Sequence, residues 1–436
     1  MNTFERKIYN LLRHNAELKK KVRNIYQRFF DLIPPKPSTS KYSIIARENH
    51  FFGFHDHTPF SYDNRKLLSC YTSIPLRMPL PNEPLCIGYF DGPTYEDFHP
   101  LTQTKAWMWH TGCKLQWRGD THQIVFNDHE CGCNIARIYD THTGKTQTLD
   151  DPIASVSPDG LWAVGYSFER AEKYMPGYGY IYDTGEKSIL NQAPDDTGIY
   201  RIDLNNAQKK LLISINDLVN LDPDDSMKDK WHYVTHAVFS PDSKRFIFLH
   251  RWVNCDDVTN RKSRMISMDI NGESVHIFPT TGMVSHIGWN GPEHVVAYCR
   301  VRDFDDQYVL FKDRQKDQMQ VLGPGLFRSD GHPSFTQNRQ WMITDMYPDR
   351  RRLQTLILYD MASNCRYDLA RLYTHRKYQS PSPQEHWTCD LHPRWDRTGQ
   401  YVCFDATYTG KRSLCTIDLG SPIGVGSQSA FVPLHL

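Results

Sequence analysis

The sequence predicts an all-β fold, a seven-bladed β-propeller preceded by an N-terminal amphipathic α-helix, and three observations predict it. One short pattern recurs seven times: a small residue or His, an apolar-alternating strand, a turn of the SPDG kind, then a second apolar strand. Each copy is followed by a partner strand and another turn, so every unit supplies about four short antiparallel strands. The copies run through nearly all of the 436 residues, so one closed toroid accounts for a length that would otherwise suggest two or three domains.

Taken in order, residues 1–33 read as a helix, with Phe4, Ile8, Leu11, Leu12, Leu18, Val22, Ile25, Tyr26, Phe29, Phe30 and Ile33 mostly three, four or seven apart on one stripe. The opposite face carries Arg6, Lys7, Arg13, Lys19, Lys20, Lys21, Arg23 and Arg28, which suits either packing on the main domain or peripheral contact with an anionic membrane through residues 4–33. Pro34-Pro35 end it, and residues 34–42, PPKPSTSKY, read as a linker. The propeller is expected over 43–436, its inner halves at 57–70, 114–128, 155–167, 236–250, 286–299, 332–345 and 392–405. Either SIIARENHFFG (43–53) or the tail AFVPLHL is expected to close the ring, because the first and last blades would otherwise meet at unpaired edges.

Composition narrows the function classes. Lys and Arg number 51 against 50 Asp and Glu, a net charge of +1, which argues against a nucleic-acid partner. No apolar run approaches the roughly 18 to 20 residues of a membrane-spanning helix. The N-terminus has no apolar core before a small-residue cleavage site, so a cytoplasmic location is expected, if need be peripheral to the inner membrane. Eleven scattered cysteines fit reduced thiols rather than a disulfide framework.

In a propeller the first strand of each blade lines the central axis, so equivalent positions of successive blades come together. His57, His236, His286, His332 and His392 all head their blade's inner strand. Any one of them can simply cap a turn, but imidazole is the commonest metal ligand, and five near one channel mouth are more than packing requires. The narrowest metal candidate is His332 in DGHPSF with Cys389 and His392 in CDLHPRW, two imidazoles and a thiolate suited to a divalent cation, zinc in the first instance. Asp330, Asp390, His286 or a water could complete it, and the competing reading makes Cys389 a small apolar side chain. A second cluster lies at strand ends on blades 2 to 4: His110, His129, Tyr166, Arg170 and His250-Arg251-Trp252, where a rigid scaffold presents binding residues. Tyr166, Tyr174, Tyr178 and Tyr180 could equally cover the insertion beneath them.

At these residues the chain resembles polysaccharide lyases built on seven-bladed propellers: the ulvan lyases in DGHPSF and CDLHPRW, and the oligogalacturonate lyases in the ring of blade-head histidines. The SPDG turns are shared with TolB-like and WD-repeat scaffolds that do no chemistry. The resemblance implies β-elimination on an acidic, uronic-acid-containing polysaccharide or oligosaccharide, with a metal that is structural in the ulvan enzymes and carboxylate-binding in the oligogalacturonate enzymes. That chemistry needs a neutralised carboxylate, for which Arg170, Arg251 or a metal would serve. It also needs a base and an acid: His129 or His110 as base, His236 as the alternative base, and Tyr166 as acid. Because lyases that degrade external polymers are usually exported, the second reading is a non-catalytic propeller of a capsule or O-antigen biosynthesis system that binds glycan or a glycosyltransferase.

Overall fold

Apolar residues two apart on a strand share a face, so the alternation in each repeat yields sheets that must stack to cover both faces. The computed structural model describes residues 33–423 except 183, 186 and 303, together with Val22 and Phe30. Within them lie seven antiparallel sheets in chain order. Blades 1 to 3 start from inner strands at His50–Phe51, Gln116–Trp117 and Ser155–Val156. Blades 4 to 7 start from Trp231–Phe239, Val284–Trp289, Ser334–Phe335 and Arg394–Trp395. The seven-bladed propeller read from the repeats is the observed architecture.

The ring closes as the first of the two expected alternatives. Ile44–Glu48 pairs antiparallel with Ser413–Asp418 and becomes the outermost strand of blade 7, so a strand from before blade 1 completes the sheet of the last blade. The tail AFVPLHL lies outside the described residues, as does the expected helix apart from Val22 and Phe30, and with it the membrane-contact expectation. Within the stretch read as a linker, Thr39–Ser40 pairs with Ala370 and Arg371 and gives blade 6 a fifth strand.

Repeated side chains tie blade to blade. The indole of Trp117 donates to the carbonyl of Pro59 in blade 1, at 2.9 Å. Trp289 does the same to Val238 in blade 4 and Trp395 to Ser334 in blade 6, at 3.0 and 3.3 Å. Large aromatics with one polar atom suit this, burying the ring and still satisfying the N–H. A second tie stands at the far end of the neighbouring strand: Asn127, Asp345 and Asp405 accept from the backbone amides of Ile153, Leu391 and Phe52 in the next blade. The core lies between sheets, as where Leu356, Leu358, Phe404 and Ile417 meet between blades 6 and 7.

Two insertions interrupt the pattern. The inner strand of blade 1 breaks after Phe51 and resumes at Phe60, which pairs with Leu67, so residues 52–59 loop into the axis. In blade 3 a helix, α1 (Phe168–Tyr174), capped by Ser167, leads into a segment that returns to the sheet only at Gly198.

Candidate active site and metal centre

Three positions before the latch residue of each inner strand, an aromatic everywhere but at Val156, stand His57, Lys114, Ile153, His236, His286, His332 and His392 in blades 1 to 7, and those of blades 4 to 7 gather round the axis. Four consecutive blades thus present imidazoles. The backbone is shaped for this presentation. His236 and His286 each fall in a β-bulge, between the Thr235/Val238 and Val284/Ile287 registers, and bulges re-aim side chains. Lys114, His236 and His392 also adopt left-handed backbone, with φ of 56°, 59° and 44°, a conformation that non-glycine residues keep where the surroundings over-determine it, commonly at functional sites.

The blade 1 loop fills the centre. Phe54 stands 5.0 Å, ring centre to ring centre, from both His236 and His392, and 5.8 to 6.0 Å from His110, His286 and His332. It makes an apolar floor for the mouth. His55 rather than His57 joins the ring, 5.2 Å from His332. His57 instead hydrogen-bonds the Ala154 carbonyl and neighbours Asp56, which Lys114 binds at 2.6 Å. The expectation for His57 fails because the loop turns over itself and buries that imidazole against the blade 3 backbone.

On this floor the strongest metal-ligating group is His110, Asp390 and His392, whose donor atoms lie within 4.8 Å of one another, all buried. The His rings are 4.7 Å apart, and His110 Nδ1 is 3.9 Å from Asp390. Seven buried atoms here have no hydrogen-bond partner among the described residues: Nε2 of His55, His332 and His392, both nitrogens of His110, Nδ1 of His386, and Oδ1 of Asp390. Each such atom costs about 1–3 kcal/mol if left unsatisfied, and buried polar groups are otherwise almost always paired. Two nitrogens and a carboxylate oxygen fit a divalent cation.

This group differs from the predicted His332, Cys389 and His392. His392 is common to both, and Asp390 was among the candidates to complete the set. Cys389 does not join this group: its thiol lies against the Asp390 carbonyl at 3.9 Å, and burial pushes its pKa up to about 12. Without the sulfur, the donor set no longer selects zinc over manganese. His332 stays in the ring, 4.2 Å from His392 and 4.0 Å from His286, with Nδ1 hydrogen-bonded to Asp345 at 2.8 Å, which leaves the lone pair on Nε2 when that carboxyl is ionised. His286 is bonded to Asp330 at 3.0 Å. Gly331 of DGHPSF is obligatory, since a Cβ there would come within 1.9 Å of the Asp345 carbonyl oxygen.

Burial, reinforced by neighbouring imidazoles and guanidinium groups, holds His55, His110, His332 and His392 neutral, with pKa values well below the ordinary one. Burial does the same to His236, helped by Arg251. It pushes Asp345 and Asp390 up to about 7. At Asp330 burial also acts upward, but the bonded His286 outweighs it and the pKa lies below the usual carboxylate range.

Of the second cluster, the structure brings His110 and Arg251 to the mouth, beside His236 of the blade-head ring. Arg251 is buried, donating through Nε to Thr235 Oγ1 at 3.1 Å and toward the Ser285 carbonyl at 3.4 Å, with no hydrogen-bonded carboxylate among the described residues. His129, Tyr166 and Arg170 are elsewhere. His129 lies flat on Tyr182, ring centres 3.4 Å apart, at the end of its strand and bonded to Asn134. Tyr166 stacks on Phe168 at 4.7 Å within the blade 3 core, its hydroxyl against the His236 backbone amide. Arg170 donates to four backbone carbonyls, His232, Ser188, Asn191 and Gln192, and so ties down the insertion.

The phenol that does reach the mouth is Tyr178. It occupies the sector where blade 3 offers only Ile153, 4.6 Å from His110 and 5.6 Å from both His236 and His386. Burial pushes its pKa upward. A signal for it existed in the Tyr-flanking glycines of MPGYGY, which mark a tight turn. Phe54 and His55 had no comparable signal, because the repeat register concealed their loop.

No protein-family model matches the chain, and neither does any curated protein. Solved structures do. An oligogalacturonate lyase in complex with manganese aligns over 88% of this chain and 97% of its own, with a TM-score of 0.60 at 13% identity. The oligogalacturonate lyase of Vibrio parahaemolyticus aligns over 88% and 94%, with a TM-score of 0.56 at 12% identity. TolB from Acinetobacter baumannii is more distant, 0.40 at 16% identity over 72% of this chain and 64% of that one. At such identities the first two define the class by fold, a seven-bladed β-propeller.

Proposed function

We propose that the protein cleaves a uronic-acid-containing oligosaccharide by β-elimination. The observation that carries the reading is the mouth itself: a cluster of neutral imidazoles with unpartnered nitrogens, a buried guanidinium without a bonded carboxylate, and a phenol, all around one apolar floor. The oligogalacturonate lyase structures of the same fold support the substrate class, and the ulvan-lyase resemblance rests on the motifs of blades 6 and 7.

In this reading the substrate carboxylate sits against Arg251, whose desolvated charge is worth more than it would be in water. Thr235 Oγ1 accepts from Arg251 Nε and pairs at 2.7 Å with His236 Nδ1, and the mechanism uses the tautomer in which Nδ1 donates and Nε2 carries the lone pair. His236 takes the C5 proton, the C5–H electron pair becomes the C4–C5 double bond, and the C4–O bond breaks. Tyr178 gives its proton to the departing oxygen. His110, Asp390 and His392 would hold the divalent cation, which supplies further charge neutralisation at the carboxylate.

The test is incubation with oligogalacturonate, ulvan and glucuronan, with manganese, with zinc and with chelator. The expected result is growth of the ultraviolet absorbance of an unsaturated uronate, lost on chelation. Failure of all three substrates under every metal condition would overturn the reading, and oligosaccharide retained without turnover would favour a binding module of polysaccharide assembly.

A further inference from the structure

Tyr178 belongs to no blade, so something must hold it in the ring. Its turn follows α1 directly, and short turns keep one conformation only when their backbone groups are tied. One carboxylate does this. Glu172, in the last half of α1, accepts through Oε2 from the amide of Gly177 at 2.8 Å and from that of Gly179 at 3.1 Å, bracketing Tyr178. Both glycines are needed where they stand. A Cβ on Gly179 would meet the Phe168 carbonyl oxygen at 1.8 Å, and one on Gly177, where φ is +90°, would meet His386 Cβ at 2.4 Å. The turn is thereby wedged between α1 and the blade 6–7 segment that carries His386, Asp390 and His392.

We infer that Glu172 is a positioning residue for Tyr178: its carboxylate, gripping the amides on either side, fixes the phenol over the blade 3 sector of the imidazole ring. The assignment rests on the lyase reading for what Tyr178 does there, but not for where it stands. Two backbone amides bonded to one side-chain oxygen set an angle as well as a distance. They fall on a loop that forms no strand of any blade and so lacks ladder bonds of its own, as expected of a support for a functional group.

The experiment replaces Tyr178 with 3-fluorotyrosine in the full chain and follows its fluorine resonance. In the parent protein the resonance is expected to be displaced from that of the free amino acid by the surrounding imidazoles. Glu172→Ala is expected to abolish that displacement while circular dichroism shows the propeller folded, and in the unlabelled protein to lower kcat roughly tenfold to hundredfold with KM within about threefold. A displacement unchanged in folded Glu172→Ala overturns the inference. If that variant does not fold, Glu172→Gln and Glu172→Asp decide: Gln, which keeps the reach and an acceptor, should retain the displacement, and Asp, one methylene short, should lose it. Any other ranking overturns the inference. Absence of uronate turnover in the parent protein would sink the lyase reading while the resonance still reports on Glu172.

Discussion

The protein gathers buried imidazoles into two clusters and treats them oppositely. Beside the axis, His232 Nδ1 and His250 Nε2 lie 3.0 Å apart, His232 Nε2 bonds the Met227 carbonyl at 3.0 Å, and Arg264 Nε bonds His250 Nδ1 at 3.2 Å. Arg264 can only donate, so every proton is fixed: His250 donates to His232, which donates to Met227. No nitrogen of this relay is free. Over the Phe54 floor, imidazoles pack 4.0 to 6.3 Å apart without one bond between them, and five histidines, His386 included, keep nitrogens unpartnered among the described residues. Buried histidine by itself is therefore no mark of function. Saturation marks the structural cluster, and unsatisfied atoms aimed at one spot mark the candidate site.

That contrast breaks if the two clusters respond alike to substitution. The largest effect is expected at the mouth. His236→Ala and Tyr178→Phe should each lower turnover of a uronate substrate by about 10²–10⁴-fold, with manganese affinity measured by calorimetry unchanged. Next, His392→Ala should weaken manganese or zinc binding by at least about tenfold to a hundredfold, the range seen when even an outer support of a metal site is lost, while His250→Ala leaves it as in the parent. Third, His250→Ala strips a partner from both His232 and Arg264 and should cost about 2–4 kcal/mol in denaturant unfolding. His55→Ala, which removes an unpartnered nitrogen, should cost less by that mechanism.

The smallest effect sharpens the comparison through pH. Burial holds His232 at about 4, below its ordinary 6.5. The unfolded chain therefore binds more protons than the native one between those values, and stability contributed by the neutral relay is complete above about pH 6.5 and is lost as pH falls toward 4. Hydrogen exchange of residues 221–232 should quicken over that interval. Exchange independent of pH beyond the intrinsic chemical rate would show that the relay does not hold this segment.

Much of this was legible from the repeats. Once the copies are aligned on their latch aromatics, His236, His286, His332 and His392 must share a level of the axis, whatever the details of packing. The partner of His392 was only partly legible: Asp390 stood among the candidates to complete the set, but strand alternation could not single it out, because His392 is left-handed rather than extended. Ligand softness pointed to the thiol, and geometry selects the carboxylate. His129 and Tyr166 misled because a strand end can face the mouth, the neighbouring blade or the rim, and periodicity does not say which.

The sequence by itself determined the toroid, its seven units, the N-terminal closing strand as one of two options, and the imidazoles of four adjacent blades, because these follow from period and register. Tertiary structure alone decided what stands among them. Phe54, His55 and Tyr178 come from insertions whose paths depend on packing against distant blades, and their placement is a property of the closed ring that no local pattern encodes.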